Sequence, residues 1–395
     1  NKWLKAVVAI ESIVLLLVLA GVLFFWTGFQ KTKNMEEEDY AAAIAERQIK
    51  QQDESAEDLS VQADSEEIVT LEGDPLLLQA IQETAGSNEV TKRMLSGITR
   101  IAVIGDQIYT EETPVEDLEN IVYQDGFNDG MVNGGITDLS VLTNLPNLKE
   151  VFLCNQKISD ISPLQELPIE GLYVCGNQIK DFSPVEKMQE LSTLYLVDNP
   201  VGKMPQLSGC TKLTRLALCG NDYETLDFLQ GSSVCNLYAM GIYVEDESFG
   251  VLPTMQSLTE LYTGSEQKQF YEILPELTGL RTLSLWGGNF GTDLTIVSKL
   301  VNLQNLFVND EFVTSLSGIE NLQRLEVFCM DGTNATDISP LTKLPRLQVV
   351  RLQGVPIVEF APLFSCHSLQ EVAADSRQKE KIEQLGDPFF MIFVE

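Results

Sequence analysis

Gly171-Leu172-Tyr173-Val174-Cys175-Gly176-Asn177-Gln178-Ile179-Lys180-Asp181-Phe182-Ser183-Pro184-Val185 is the stretch on which the fold turns. Its Leu172-x-Val174 core reads as a short strand, because successive strand residues point to opposite faces: Leu172 and Val174 go one way and Tyr173 the other. Gly176 and Asn177 then supply turn chemistry, and Asp181-Phe182-Ser183-Pro184-Val185 carries the chain back. One such unit cannot bury its apolar face alone, so it predicts stacked neighbours.

The neighbours are present. In the pattern L-x-x-L-x-L-x-x-N-x-L the second leucine position falls at Val151, Leu172, Leu194, Leu216, Leu237, Leu261, Leu283, Leu306, Phe328, Val350 and Val372. The successive spacings are 21, 22, 22, 21, 24, 22, 23, 22, 22 and 22 residues. Two further registers are expected upstream, at Ile101 and, less cleanly, at Ile121. The return phrase recurs as Asp160-Ile161-Ser162-Pro163-Leu164 and Asp337-Ile338-Ser339-Pro340-Leu341, with a variant at Asp138-Leu139-Ser140-Val141-Leu142. Asparagine holds its place at Asn177, Asn199 and Asn221, where its amide can bond backbone within the turn. Gln156, Gly288 and Thr333 replace it elsewhere, so the region from 240 to 312 is expected to be less regular.

A terminal repeat exposes its core and needs a cap. Asp74-Pro75-Leu76-Leu77 reads as an acid-capped helix start with proline in the first turn. A helical N-terminal cap is therefore expected over 74–97, repeats over 98–375 and a C-terminal cap over 376–395. In the last, a polar helix from Ser376 to Leu385 precedes a closing strand at Phe389-Phe390-Met391-Ile392-Phe393-Val394.

These features together resemble the bacterial internalin-like leucine-rich-repeat domains with their 22-residue repeat. The resemblance rests on Asp74-Pro75-Leu76, on Ile98-Thr99-x-Ile101 and on the Asp-Ile-Ser-Pro-Leu phrases, and it covers roughly 74–395. It implies an α/β solenoid, a right-handed superhelix with a concave parallel β-sheet that binds a protein partner.

The N-terminal part is different. Ser12 to Phe29 is an uncharged apolar run, long enough as a helix to cross a hydrocarbon core of about 30 Å. Trp3 and Trp26 sit near its ends as an aromatic belt would. A single-pass anchor is expected over 1–33, with the membrane met by residues 6–29. Lys2 and Lys5 before the run balance Lys31 and Lys33 after it, so the positive-inside rule does not decide orientation. The acidic C-terminal side favours an extracellular repeat domain. Residues 36–74 hold 14 acidic residues against Arg47 and Lys50. Too few apolar groups are present there to offset ordering entropy, and 34–73 reads as a disordered or partly helical stalk.

The concave face is expected to carry the function. Its middle row reads Phe152, Tyr173, Tyr195, Ala217, Tyr238, Tyr262, Ser284 and Phe307, an aromatic stripe that suits a protein interface. The same rings can instead stack on one another and stabilise the sheet. Beside them stand Cys154, Cys175, Met240 and Trp286 on one flank and Arg215 on the other. Cys154 and Cys175 share a slot on adjacent strands and are either free thiols or a disulfide. Asp125 to Gly135 reads as a turn-rich insertion without the spacing of a calcium loop.

Enzyme chemistry is not expected. The sole histidine, His367, lies in a connector, and no phosphate loop, Cys-x-x-Cys or His-Glu-x-x-His occurs. No cofactor or metal site is read from the residues. Twenty-six basic residues against 58 acidic give a net charge of −32, which repels nucleic acid and anionic lipid. The expected role is a membrane-anchored receptor or adhesin. The alternatives are the sensory ectodomain of a longer protein with an N-terminal cytoplasmic catalytic domain such as a kinase (the chain opens on Asn1, not Met), an intracellular scaffold, and a structural spacer.

Overall fold

A computed structural model of the chain describes residues 66–125, 133–244, 248–264, 267–288 and 290–394. The expected anchor at 6–29, nearly all of the stalk and most of the 125–135 insertion lie outside these residues. Among the described residues no helix is long and apolar enough to cross a membrane. Two compact units are formed, one ending at Ile179 and the other beginning at Lys180.

The first unit opens with helix α1 (Pro75–Ala85). The Asp74 carboxylate accepts from the Leu76 amide at 3.0 Å, Pro75 starts the helix, and Gly86 closes it at φ 67°, a backbone state that glycine adopts without a Cβ penalty. Leu77, Ala80 and Ile81 are buried, the i, i+3, i+4 stripe of a one-sided helix. Helix α2 (Lys92–Gly97) is capped by Thr91 and buries Leu95. Strand β1 (Arg100–Ile104) pairs antiparallel with β2 (Gln107–Tyr109). Helix α3 spans Val115–Asp125. Strands β3 (Glu150–Cys154) and β4 (Gly171–Tyr173) complete the unit. β1, β3 and β4 run parallel, with Ile101, Val151 and Leu172 in one register.

Ile121 corrects the expectation of a strand register there, since it lies within α3. Pro114 and the acidic first turn, Glu116 and Asp117, favour a helix start. Leu118 and Val122, four apart, are both buried, which is helical spacing.

The second unit contains β5 (Thr193–Tyr195), β6 (Arg215–Ala217), β7 (Asp222–Tyr223), β8 (Asn236–Met240), β9 (Tyr243–Val244) and β10 (Glu260–Gly264). There follow α4 (Lys268–Ile273), β11 (Thr282–Trp286), β12 (Asn305–Asn309), β13 (Val327–Cys329), β14 (Val349–Arg351), β15 (Glu371–Ala374), α5 (Ser376–Glu383) and β16 (Met391–Val394). β7 and β9 form a small parallel pair of their own. The remaining strands stack in parallel, with Leu194, Leu216, Leu237, Leu261, Leu283, Leu306, Phe328, Val350, Val372 and Ile392 in register. All eleven leucine-position residues from Val151 to Val372 lie in strands and are buried.

The return phrase has a local cause. Asp160 accepts from the Ser162 amide at 2.8 Å and from its hydroxyl at 2.9 Å, and Asp138–Ser140 and Asp337–Ser339 repeat both bonds. Each Asx turn hands the chain to a short 3-10 helix, which buries Leu142, Leu164 or Leu341. At Asp181 the Ser183 hydroxyl and amide hold the carboxyl below its ordinary value.

The asparagine place ties one repeat to the next. Asn177 donates to the Leu153 carbonyl at 2.8 Å and the Val174 carbonyl at 3.0 Å, and accepts from the Ile158 amide at 3.1 Å. Gln156 does the same work. It donates to the Gly105 and Cys154 carbonyls and accepts from the Ile136 amide.

Candidate functional site on the outward sheet face

Side chains opposite the inward leucines line the outward face of each unit. In the first unit the expected residues Phe152 and Tyr173 meet as a flat stack, 4.0 Å between centroids and 7° between planes. They are not exposed: Phe152 is 0% and Tyr173 2% accessible. This corrects the expectation of an open aromatic stripe, and the cause is α3. The Tyr173 hydroxyl donates to the Glu119 carboxylate, while Leu118 and Val122 on the same helix are buried.

A strap leads into that helix. The Arg100 guanidinium donates to the Thr110 and Thr113 carbonyls at 3.2 and 2.7 Å. The Glu111 carboxylate accepts from the Thr99 amide, the Thr99 hydroxyl and the Arg100 amide. Cys154 and Cys175, the flanking pair, are buried free thiols, and Cys154 Sγ lies 3.5 Å from the Tyr173 carbonyl.

In the second unit the row continues through Tyr195, Ala217, Tyr238, Tyr262, Ser284 and Phe307. Upright rings on alternate strands would stand about 9.6 Å apart. Tyr195 and Tyr238 approach to 5.9 Å at 40°, leaning toward each other over the small Ala217 that separates them. Tyr238 and Tyr262 stack at 4.4 Å and 12°. The second small position, Ser284, receives an indole: Trp286 Nε1 donates to Ser284 Oγ at 2.9 Å. Each gap in the row is thus covered by a neighbour's ring. Tyr195, Tyr238, Tyr262 and Phe307 are all buried, again against the expectation of exposure, and the stacking alternative describes them better.

What remains half-exposed are the flanks. On one side stand Arg215, Asn236, Glu260 and Asn305; on the other, Met240, Gly264, Trp286 and Asn309. Arg215 lies 5.6 Å above the Tyr195 ring centroid and donates to its hydroxyl at 2.9 Å. Asn236 donates to the Glu260 carboxylate at 2.9 Å, and the Tyr262 hydroxyl approaches it at 3.4 Å. Further along, Arg351 Nε donates to the buried Asp331 carboxylate at 3.0 Å. The Arg351–Asp331 pair, with Cys329 Sγ 3.3 Å from the same oxygen, went unread in the sequence. Its only signal is that opposite charges occupy outward positions of neighbouring repeats.

Burial governs the titration of this face. Desolvation lifts the Glu260 carboxyl above its ordinary 4.5, opposed by the Tyr262 hydroxyl and the Arg215 charge. The same cause pushes the Cys219 thiol up to about 12 and raises the Cys329 thiol and the Tyr262 hydroxyl. Thiols held protonated are poor nucleophiles. A raised carboxyl means that the folded chain holds its proton more tightly than the unfolded chain. That stabilisation is present below pH 4.5 and is lost as pH rises through the folded-state value. Glu260→Gln, which keeps an acceptor for Asn236, is therefore expected to raise Tm at pH 7 by about 2 °C and to leave it unchanged at pH 4. Calorimetry at the two pH values checks this.

His367 is exposed, and no group of three or more metal-ligating side chains occurs among the described residues. No family model and no curated protein matches the chain. Among solved structures, an internalin of Listeria monocytogenes is matched over 82% of this chain and 89% of that one, at TM-score 0.55 and 21% identity. The fold is a leucine-rich-repeat solenoid. A leucine-rich-repeat protein of Leptospira interrogans is matched over 82% of this chain and all of that one, at TM-score 0.41 and 15% identity.

Proposed function

We propose that this leucine-rich-repeat chain is a single-pass membrane protein whose repeat domain is displayed outside the cell and binds a protein partner through its outward sheet face, as a receptor or adhesin. The observation that carries the reading is the pair of half-exposed flanks, Arg215, Asn236, Glu260 and Asn305 opposite Met240 and Trp286, above a rigid floor of stacked rings. Aromatic and arginine side chains on a preordered surface are the usual source of interface energy, and a floor that is already packed loses little entropy on binding. The uncharged run 12–29 supports the anchor. The chemistry of this face fits binding: burial raises the Cys219 and Cys329 thiols, and the Glu260 and Asp331 carboxylates are tied to Asn236 and Arg351.

Intact cells expressing the full chain provide the test. External protease is expected to remove the repeat domain without permeabilisation; protection until the membrane is opened overturns the surface placement. A photoactivatable phenylalanine at Asn305, on the outward face, is expected to yield protein adducts of higher mass. The same probe at Thr342, on an exposed connector, is expected to yield none. Equal adducts at both positions, or none at Asn305, overturn the binding face.

A further inference from the structure

Strand β16 is the last strand of its sheet among the described residues and pairs with β15 alone. The Met391 amide donates to the Gln370 carbonyl at 2.8 Å. Successive strand residues turn their amide and carbonyl to opposite sides, so Ile392 and Val394 turn theirs away from β15. A row of this kind is a template for pairing with another chain, and it is usually blunted by lysine, proline or a bulge. Residues 391–394 contain neither lysine nor proline, and their register with β15 runs unbroken from Met391 to Val394. Among the described residues ten large apolar side chains are exposed. Five of them, Leu385, Phe389, Met391, Phe393 and Val394, fall on and just before this strand.

Copies of a chain at −32 repel one another, so self-association needs a surface where charge is locally balanced. The end of this sheet is such a surface. Residues 388–394 are uncharged. Helix α5, which lies against β16, carries Arg377, Lys379 and Lys381 against Glu380 and Glu383. Lys379 stands 3.7 Å from Glu383, and Lys381 lies 5.9 Å above the Phe360 ring centroid. A second copy arriving here meets an apolar strand beside a helix whose charges are already compensated.

We infer that β16 is a self-association edge: the β16 strands of two copies of this chain pair antiparallel about a two-fold axis at Phe393. The parity of the strand sets this register. Ile392 and Val394 hold the edge-facing amides and carbonyls, so Ile392 stands opposite the partner subunit's Val394, and each such pair exchanges both of its bonds. Phe393 then meets the partner subunit's Phe393 at a non-hydrogen-bonded position, where Cα atoms lie about 4.5 Å apart and side chains are closest. The contact is isologous, closing on itself as a dimer. It lies at the sheet edge and not on the outward face, so it stands apart from the partner binding proposed above.

The full chain in dodecylmaltoside micelles is expected to show a concentration-dependent monomer–dimer equilibrium by sedimentation. Val394→Pro removes an edge-facing amide and leaves the bonds to β15 in place, so it is expected to weaken the dimer at least about tenfold. Circular dichroism melting shows whether that variant is folded. Two cysteine variants read the register under mild oxidation, and they decide the matter even where Val394→Pro unfolds. Phe393→Cys is expected to give a reducible dimer, because the position faces its own copy at about 4.5 Å between Cα atoms. Met391→Cys is expected to give none, because its two copies are offset by roughly 13 Å along the strands, beyond disulfide reach. The native chain, whose cysteines are all buried or half-buried free thiols, is the blank and is expected to give none. A chain that stays monomeric at every concentration overturns the edge contact, as does linking by Met391→Cys or failure of Phe393→Cys to link. A dimer undiminished in folded Val394→Pro overturns it too and places the contact elsewhere, the apolar run 12–29 being the first alternative.

Discussion

Asn177→Leu is expected to destabilise the first unit by roughly 3 kcal/mol, one of the two largest single-site losses expected in this molecule. The side chain is buried and makes four bonds with backbone groups, to the Leu153, Val174 and Cys175 carbonyls and from the Ile158 amide. Leucine has similar volume, so little cavity opens. The loss comes from polar backbone left dry, about 1–3 kcal/mol for each group that finds no water. Asn302→Leu serves as the control. Its amide donates to the Thr278 carbonyl at 2.9 Å in an exposed setting, where water replaces the bond and the change is expected to stay within about 0.5 kcal/mol. Urea unfolding of both variants, with hydrogen exchange at the amides of residues 153–158, measures the difference. Equal midpoints for the two variants refute the role assigned to Asn177.

Arg351→Met is expected to cost roughly 3 kcal/mol in the second unit. The pair it breaks is nearly dry, with side chains 10% and 11% exposed. Asp331 accepts from the Gln353 amide at 2.9 Å as well as from Arg351, so its carboxylate is fixed where the cation was. Removing one partner leaves a buried charge without its counterion, which costs far more than the intact pair contributes. The double change Asp331→Asn with Arg351→Met is therefore expected to recover more than half of the loss, because the Gln353 amide keeps its acceptor and no net charge is buried. Thermal melting of the single and double variants decides the matter. A double variant as unstable as Arg351→Met alone would show that packing, and not charge, sets the cost.

The repeat registers are legible in the sequence because they depend on a single local rule. An apolar residue every 22 or so positions falls on the buried face of a strand whatever the neighbouring repeat contains. The Asp-x-Ser turns are legible for the same reason, being closed within three residues. Ile121 is misread because a helix that starts just after Pro114 and one apolar strand position look alike over four residues; only the Leu118–Val122 spacing separates them. The accessibility of the outward row is not legible at all. Which side chains face outward follows from strand alternation, but whether Tyr195 leans over Ala217 depends on a small residue 22 positions away, and strand alternation does not say whether Trp286 folds back over Ser284, two positions before it. The cover over Phe152 and Tyr173 depends on a carboxylate, Glu119, whose partner is 54 residues distant.

That cover has a thermodynamic consequence for the first unit. Helix α3 is tethered to the surface it occupies by the short run that follows β2, so its effective concentration there is on the order of millimolar. A free ligand for Phe152 and Tyr173 has to outbid a resident that never diffuses away. A ligand at micromolar concentration therefore starts about a thousandfold behind α3, even with identical contacts. The aromatic face of the first unit is thus already engaged by its own chain, whereas the flanks of the second unit stay half-exposed.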